Sequence, residues 1–366
     1  MTGGTITTSD KGANALVATN DGSVTISLTT ITSTGSASAR RLHATYGGTI
    51  KATKVVISST GGSCATLATD RGEGTVSCTS CTLSKAGSGS PLIYSTGDIT
   101  VSGTTGTSSA AQAVVVEGKN SANIQNSSNL KCTASPNNKN DQCGVLIYQS
   151  MSGNADSGTS SFTCDSSTIE ILSSSGYYDS APMFFVTNTD ADIKLTDCTF
   201  TYGSGTFINV DEGDWGTSGS NGGTVSLTLT NQDIVGDIIV GSTSSLTLTL
   251  VNSSIKGTIN GDKTAAKLVI ALDSDSTITL TGNSYYTSLS NDDSDNSNIE
   301  TGSYTFSNYD GTESSSSNSG STTKTTSNNN DDDEDDEDIN AITVDYSSYL
   351  KCYWQIFIIS LFLTLI

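Results

Sequence analysis

A short apolar stretch followed by a polar turn returns about every 25 residues through most of this chain. The stretches read Ala15-Leu16-Val17, Leu42-His43-Ala44, Thr66-Leu67-Ala68, Leu92-Ile93-Tyr94, Val114-Val115-Val116, Leu146-Ile147-Tyr148, Phe184-Phe185-Val186 and Phe207-Ile208-Asn209. A Gly- or Asp-marked turn follows each, then a second strand with alternating residues, as in Ser23-Val24-Thr25-Ile26-Ser27 and Gly74-Thr75-Val76-Ser77-Cys78. A unit this short cannot bury an apolar face alone, so the units must stack. Stacking in register turns each inward position into a ladder. Leu16, Leu42, Leu67, Leu92, Val115 and Leu146 are expected in one ladder. Ile26, Ala52 and Cys78 are expected in a second, and Ile31, Ile57, Leu83 and Phe200 in a third.

Charged residues make up 14% of the chain, against about 25% in ordinary soluble domains. Ser, Thr, Gly and Asn replace them, β-branched residues fill the strands, and no stretch keeps a helical period. Parallel strands joined by crossovers wind right-handed as a rule. The expected fold is therefore all-β, a right-handed parallel β-helix over residues 1–310. Residues 311–346 are Ser/Thr/Asn-rich and then acidic, with an unbroken run from Asp331 to Asp338, and are expected to be disordered. The chain opens inside a coil, at Met1-Thr2-Gly3-Gly4-Thr5-Ile6, with no basic and apolar leader, which predicts further sequence upstream.

The net charge is −21, and the segment from Gly311 onward, with ten acids and two lysines, carries −8 of it. No basic stripe exists for nucleic acid. The acidity also opposes anionic polysaccharides unless Ca²⁺ bridges the two. Eight cysteines fit an oxidising compartment. Cys132 and Cys143 flank an apparent inserted loop and are expected to pair across its base. Cys78 and Cys81, three apart on a strand, should face opposite ways and act separately.

Residues 347–366 end in an apolar run from Tyr353 to Ile366, too short to span a bilayer at about 20 residues. A terminal apolar tail after a polar spacer is the pattern of a glycolipid-anchor signal, with Asn340 and Ser347 as attachment candidates; a short tail anchor is the alternative. An extracellular, membrane-anchored protein is expected. Asn126-Ser127-Ser128 and Asn252-Ser253-Ser254 are glycosylation acceptors by pattern.

The coil pattern, with Gly-Gly-Thr-Ile, Thr69-Asp70-Arg71-Gly72-Glu73-Gly74 and Val116-Glu117-Gly118-Lys119-Asn120, resembles the pectin-lyase-like superfamily of right-handed β-helices. It is most similar to Ser/Thr/Gly-rich, adhesin-like members of microbial surfaces. That resemblance implies a cell-surface protein acting in adhesion, glycan contact or wall structure. It also implies an alternative, a polysaccharide lyase, with Arg71 or Lys119 as base and Asp70 or Glu117 as acid or metal ligand. A hydrolase would instead need paired carboxylates flanking the scissile bond.

Charge is rare here, so its clusters carry weight. Asp70, Arg71, Tyr94, Glu117, Lys119, Tyr148 and Gln149 leave equivalent places in successive coils. With coils about 4.8 Å apart they are expected to form one polar strip of glycan-binding or catalytic chemistry. The plain alternative is a row of ion pairs worth about 0–1 kcal/mol each. Asp211, Glu212 and Asp214 beside Trp215 form an acidic loop that suits Ca²⁺ or a sugar; alternatively Trp215 covers a coil edge. His43, the sole histidine, reads as a coil-turn residue. Regular Thr ladders on a flat β-face order water and bind ice. The ladder at Thr228-x-Thr230, Thr247-x-Thr249 and Thr277-x-Thr279 is broken by Lys267-Leu268-Val269-Ile270, which counts against that use.

Overall fold

The computed structural model describes residues 1–36, 39–138 and 140–311. The linker and tail expected beyond them, with Asn340 and Ser347, lie outside the described residues. Every regular element among the described residues is a β-strand. The first eight coils each contribute one strand to each of three parallel sheets, which hold eight, nine and eleven strands in all. The first sheet starts with Thr5–Thr8 and Thr30–Ser33, the second with Leu16–Ala18 and Leu42–Thr45, the third with Ser23–Ser27 and Gly48–Thr53. In the later coils a four-stranded sheet beginning at Asp233–Val235 takes the first sheet's place in the chain order. All named pairings are parallel, an arrangement compatible with a β-helix or solenoid.

Two expected ladders are present. Ile26, Ala52, Cys78, Val101, Ile124 and Cys164 share one register in the third sheet, continuing to Leu272. Ile31, Ile57, Leu83, Leu130, Ile169 and Phe200 share another in the first, with Gly106 as one rung. Buried side chains of this size are worth roughly 1.5–3 kcal/mol each, which binds coil to coil.

The first expected ladder, from Leu16, departs from expectation after three rungs. Leu16, Leu42 and Leu67 align, but the next partner is Ile93, followed by Val114, Val145, Phe184 and Ile208. Leu92 sits one residue earlier and is fully buried. A Cβ on Gly106 would lie 2.7 Å from Leu92 Cδ1. Leu92 thus fills the space that the missing side chain at Gly106 leaves open. Val115 and Leu146 fall on the outer face of the second sheet. A slip of one residue exchanges the faces of a strand, which is why an apolar residue at every position hid the true register.

One corner organises the turn from third to first sheet. Leu28, Lys54, Ser80, Asn126, Ser166, Asp197, Asn231 and Asn252 all take positive φ, between 46° and 58°. At several of the next positions an inward hydroxyl takes the amide of the coil before it. Thr104 Oγ1 accepts from Cys81 N at 3.3 Å, Ser128 Oγ from Thr104 N at 3.1 Å, and Ser253 Oγ from Gln232 N at 3.0 Å. The buried amides of the turn are thereby satisfied along the stack.

The same corner corrects the cysteine assignments. Cys78 and Cys81 form a disulfide, because the left-handed Ser80 between them turns both inward. A second disulfide joins Cys164 to Cys198, again a strand-end position to a corner position. Cys132 and Cys143, expected to pair, are both free. Cys132 points into the main core and Cys143 into a separate outer cluster. In the core, Phe184 meets Phe162, Phe200 and Phe207 edge-on, with ring centres 5.4–5.5 Å apart.

Candidate functional site

The residues expected to form one strip separate into three groups. The first is buried. The second sheet stacks Tyr94 on Val115, and Glu117 on Tyr148. Glu117 is fully buried and its carboxyl oxygens accept hydrogen bonds from the hydroxyls of Tyr94 and Ser150. Tyr148 and Ser152 approach the same carboxyl group at 3.4 Å. Burial, then the neighbouring Tyr148 and Glu117, pushes the Tyr94 phenol well above its ordinary range; burial also raises Tyr148. Val115, Cys143, Leu146 and Phe185 pack around these rings, and Trp215 lies 5.4 Å from Tyr148, ring centre to ring centre. Cys143 and Trp215 come from loops outside the sheet, so those loops roof its outer face. The Glu117 carboxyl is satisfied within this internal network, while the buried Trp215 Nε1 has no hydrogen-bond partner among the described residues.

The second group is exposed. Lys119 Nζ bridges Glu73 at 2.9 Å and Asp156 at 3.1 Å, and Arg71 Nε donates to Asn154 Oδ1 at 2.9 Å. Arg71, Glu73, Thr96, Asn154 and Asp156 line a cavity of about 280 Å³. Cations, carboxylates and an amide meet there in solvent, a mixture suited to hydrogen-bonding sugar hydroxyls. Gln149 lies elsewhere, lining a neighbouring cavity of about 340 Å³ with Asn188 and Asp190.

The third group surrounds Asp70, which pairs with Arg40 at 2.9 Å and lies 4.0 Å from His43 Nε2. His43 is buried, and burial with the adjacent Arg40 outweighs Asp70, lowering the imidazole to about 4. His43 therefore stays neutral at ordinary pH.

The acidic loop does not converge. Asp211 Oδ1 accepts from Glu212 N at 2.8 Å, Glu212 Oε2 from Gly219 N at 3.1 Å, and Asp214 from Asn140 N at 3.0 Å. Among the described residues no three His, Cys, Asp or Glu side chains are grouped to hold a metal, and the carboxylates of this loop point to separate partners rather than to one Ca²⁺ position. Asn126 and Asn252 both lie exposed at the left-handed corner, each side chain bonded to a neighbouring coil, Ser102 at 2.9 Å and Asn231 at 2.8 Å.

One cluster was missed altogether. Arg41 is fully buried and Lys85 is 1% exposed, and no carboxylate pairs with either among the described residues. Arg41 Nε donates to Ser59 Oγ at 2.9 Å, and its Nη2 reaches Gly35 O at 2.9 Å and Cys64 Sγ at 3.5 Å. Lys85 Nζ donates to Ser59 Oγ at 3.1 Å and to Gly61 O. Burial lowers Lys85 from 10.5 to about 8. Strand parity carried the signal for Lys85: it shares a face with Leu83 two residues before it.

The described geometry is thus a stack of parallel sheets with a roofed polar network, an exposed ionic patch and a buried cationic cluster. Compared with family models, curated proteins and solved structures, the chain finds no match.

Proposed function

We propose that this chain is a right-handed parallel β-helix of the pectin-lyase-like kind that acts without catalysis at a cell surface, in adhesion or glycan contact. The reading rests on one observation above others: Glu117, the best placed acid, is fully buried and saturated by hydroxyl partners, while the neighbouring Arg71, Glu73, Lys119 and Asp156 stand open in solvent. The buried group supports the scaffold. The open group supplies weak, repeatable contacts of the kind that long solenoid faces multiply by avidity. Two disulfides accord with an oxidising, extracellular setting. Attachment to a membrane through the apolar C-terminal segment belongs to the same proposal.

Glycan-array binding by the full chain, beside an Arg71→Ala/Lys119→Ala variant, tests this reading. Binding by the parent and its loss in the variant, with circular dichroism unchanged, is the expected result. Release of unsaturated products from uronate polysaccharides, with or without Ca²⁺, would overturn it in favour of a lyase.

A further inference from the structure

The outward face of the first sheet differs from that of the third. Two columns of outward residues run over five rows, from Thr5 and Thr7 to Thr105 and Thr107. All ten positions are Thr or Ser except Val56, and none is charged, in a protein of net charge −21. The alternate residues are the buried rungs Ile31, Ile57 and Leu83, so the columns are fixed by the core and cannot shift independently. Rows lie about 4.8 Å apart, and residues two apart on a strand about 6.7 Å apart. The array ends at the sixth row, where Lys131 enters the register and pairs with Glu170 at 2.7 Å.

The hydroxyls of this array make no hydrogen bond within the described residues, whereas those of the third sheet do. There Ser121 bonds Asp98 at 2.6 Å, Thr163 bonds Asn123 at 2.7 Å and Asn123 bonds Thr100 at 3.3 Å. The third sheet's outward columns also carry Lys51, Asp98, Asp192 and Lys194. The broken Thr ladder around Thr228 and Thr247 belongs to that sheet. The first sheet instead presents hydroxyls and methyls at fixed two-dimensional spacing, with all their hydrogen-bonding capacity turned outward.

We infer that this face binds a crystalline water surface. A rigid periodic array gains from a periodic partner, because each small contact is made in step with the others. Anionic partners need cations, and none stands on the array. The mixture of cation, carboxylates and amide that suits the Arg71 patch to sugar hydroxyls is missing from the array, which holds Thr, Ser and Val56 alone. A second copy of the chain would need an apolar patch, and Val56 is the only large apolar residue in the array. The inference rests on the residues and register of the first sheet, so failure of glycan binding at Arg71 and Lys119 leaves it standing.

The test is thermal hysteresis and inhibition of ice recrystallisation by the full chain, with a Thr32→Lys/Thr82→Lys variant and a third-sheet control, Thr100→Lys/Thr228→Lys. The parent and the control should both slow recrystallisation. The first-sheet variant should lose activity by roughly tenfold or more, with its circular dichroism unchanged. Three results would overturn the inference: a folded parent no more active than albumin at equal mass, equal loss in the third-sheet control, or a first-sheet variant that loses only cellulose binding or self-association.

Discussion

Lys85→Met should make the protein more stable. Lys85 is buried beside Arg41 with no carboxylate partner among the described residues, and its ammonium is lowered from 10.5 to about 8. At 1.36 kcal/mol per pH unit, that displacement is a penalty of roughly 3 kcal/mol on the charged folded form. Below pH 8 the ammonium is protonated in both folded and unfolded chains, so the penalty is present in full. Between pH 8 and 10.5 the unfolded chain holds a proton that the folded chain has lost, so stability rises with pH. Methionine matches the stem of lysine and orphans no acceptor: Ser59 Oγ keeps Arg41 Nε at 2.9 Å, and Gly61 O keeps Cys64 Sγ at 3.4 Å and Ser90 Oγ at 3.4 Å. Replacing a buried charge by an apolar group of similar volume gains about 1–4 kcal/mol in comparable cases. Urea unfolding of parent and variant at pH 7 and pH 10 measures both parts. The variant should exceed the parent by about 2 kcal/mol at pH 7, and the gap should narrow by a similar amount at pH 10. A destabilised variant, or a gap independent of pH, would refute the reasoning.

Glu117→Ala leaves the Tyr94 and Ser150 hydroxyls without their acceptor under a roofed face, and should cost roughly 2–4 kcal/mol in urea unfolding. His43, the sole histidine, gives one imidazole signal by NMR, whose midpoint should lie near 4. Its folded value is below the ordinary 6.5, so the stability it contributes is lost as pH falls from 6.5 through 4, by roughly 3 kcal/mol in all. Cys164 and Cys198 are 34 residues apart, and Cys78 and Cys81 three apart. On loop-closure entropy, Cys198→Ser should cost about 4 kcal/mol and Cys81→Ser about 2 kcal/mol, by denaturant midpoints under non-reducing conditions.

The repeat made the parallel pairing and two core ladders legible, because apolar residues alternated cleanly with polar ones there. The second sheet was harder to read. Its strands are apolar at consecutive positions, as in Val114-Val115-Val116 and Leu146-Ile147-Tyr148, since loops cover the outer face while the core covers the inner. Without alternation nothing set the register, so Leu92, Val115 and Leu146 were each assigned one place wrong. The Cys78–Cys81 disulfide was missed for a related reason: the positive φ of Ser80 bends the chain where straight-strand parity was assumed, and Asp197 makes the same bend just before Cys198. Asp70 lies two coils before Glu117 and Lys119, which share one coil. Their separation into a shielded acid, an ion pair and an open bridge depends on loops 133–144, 149–158 and 211–222, whose paths no periodicity encodes.

Spin-label distances along one outward column test the stacking most directly. Thr25, Lys194 and Thr249 occupy the same column of the third sheet, with Lys194 six rows and Thr249 eight rows from Thr25. At about 4.8 Å per row, backbone separations should be about 29 Å for Thr25 to Lys194 and about 38 Å for Thr25 to Thr249. Labels at those pairs should report distances that increase by about 10 Å between the two. Equal distances, or a shorter one for the more remote pair, would contradict the stacked register on which the account stands.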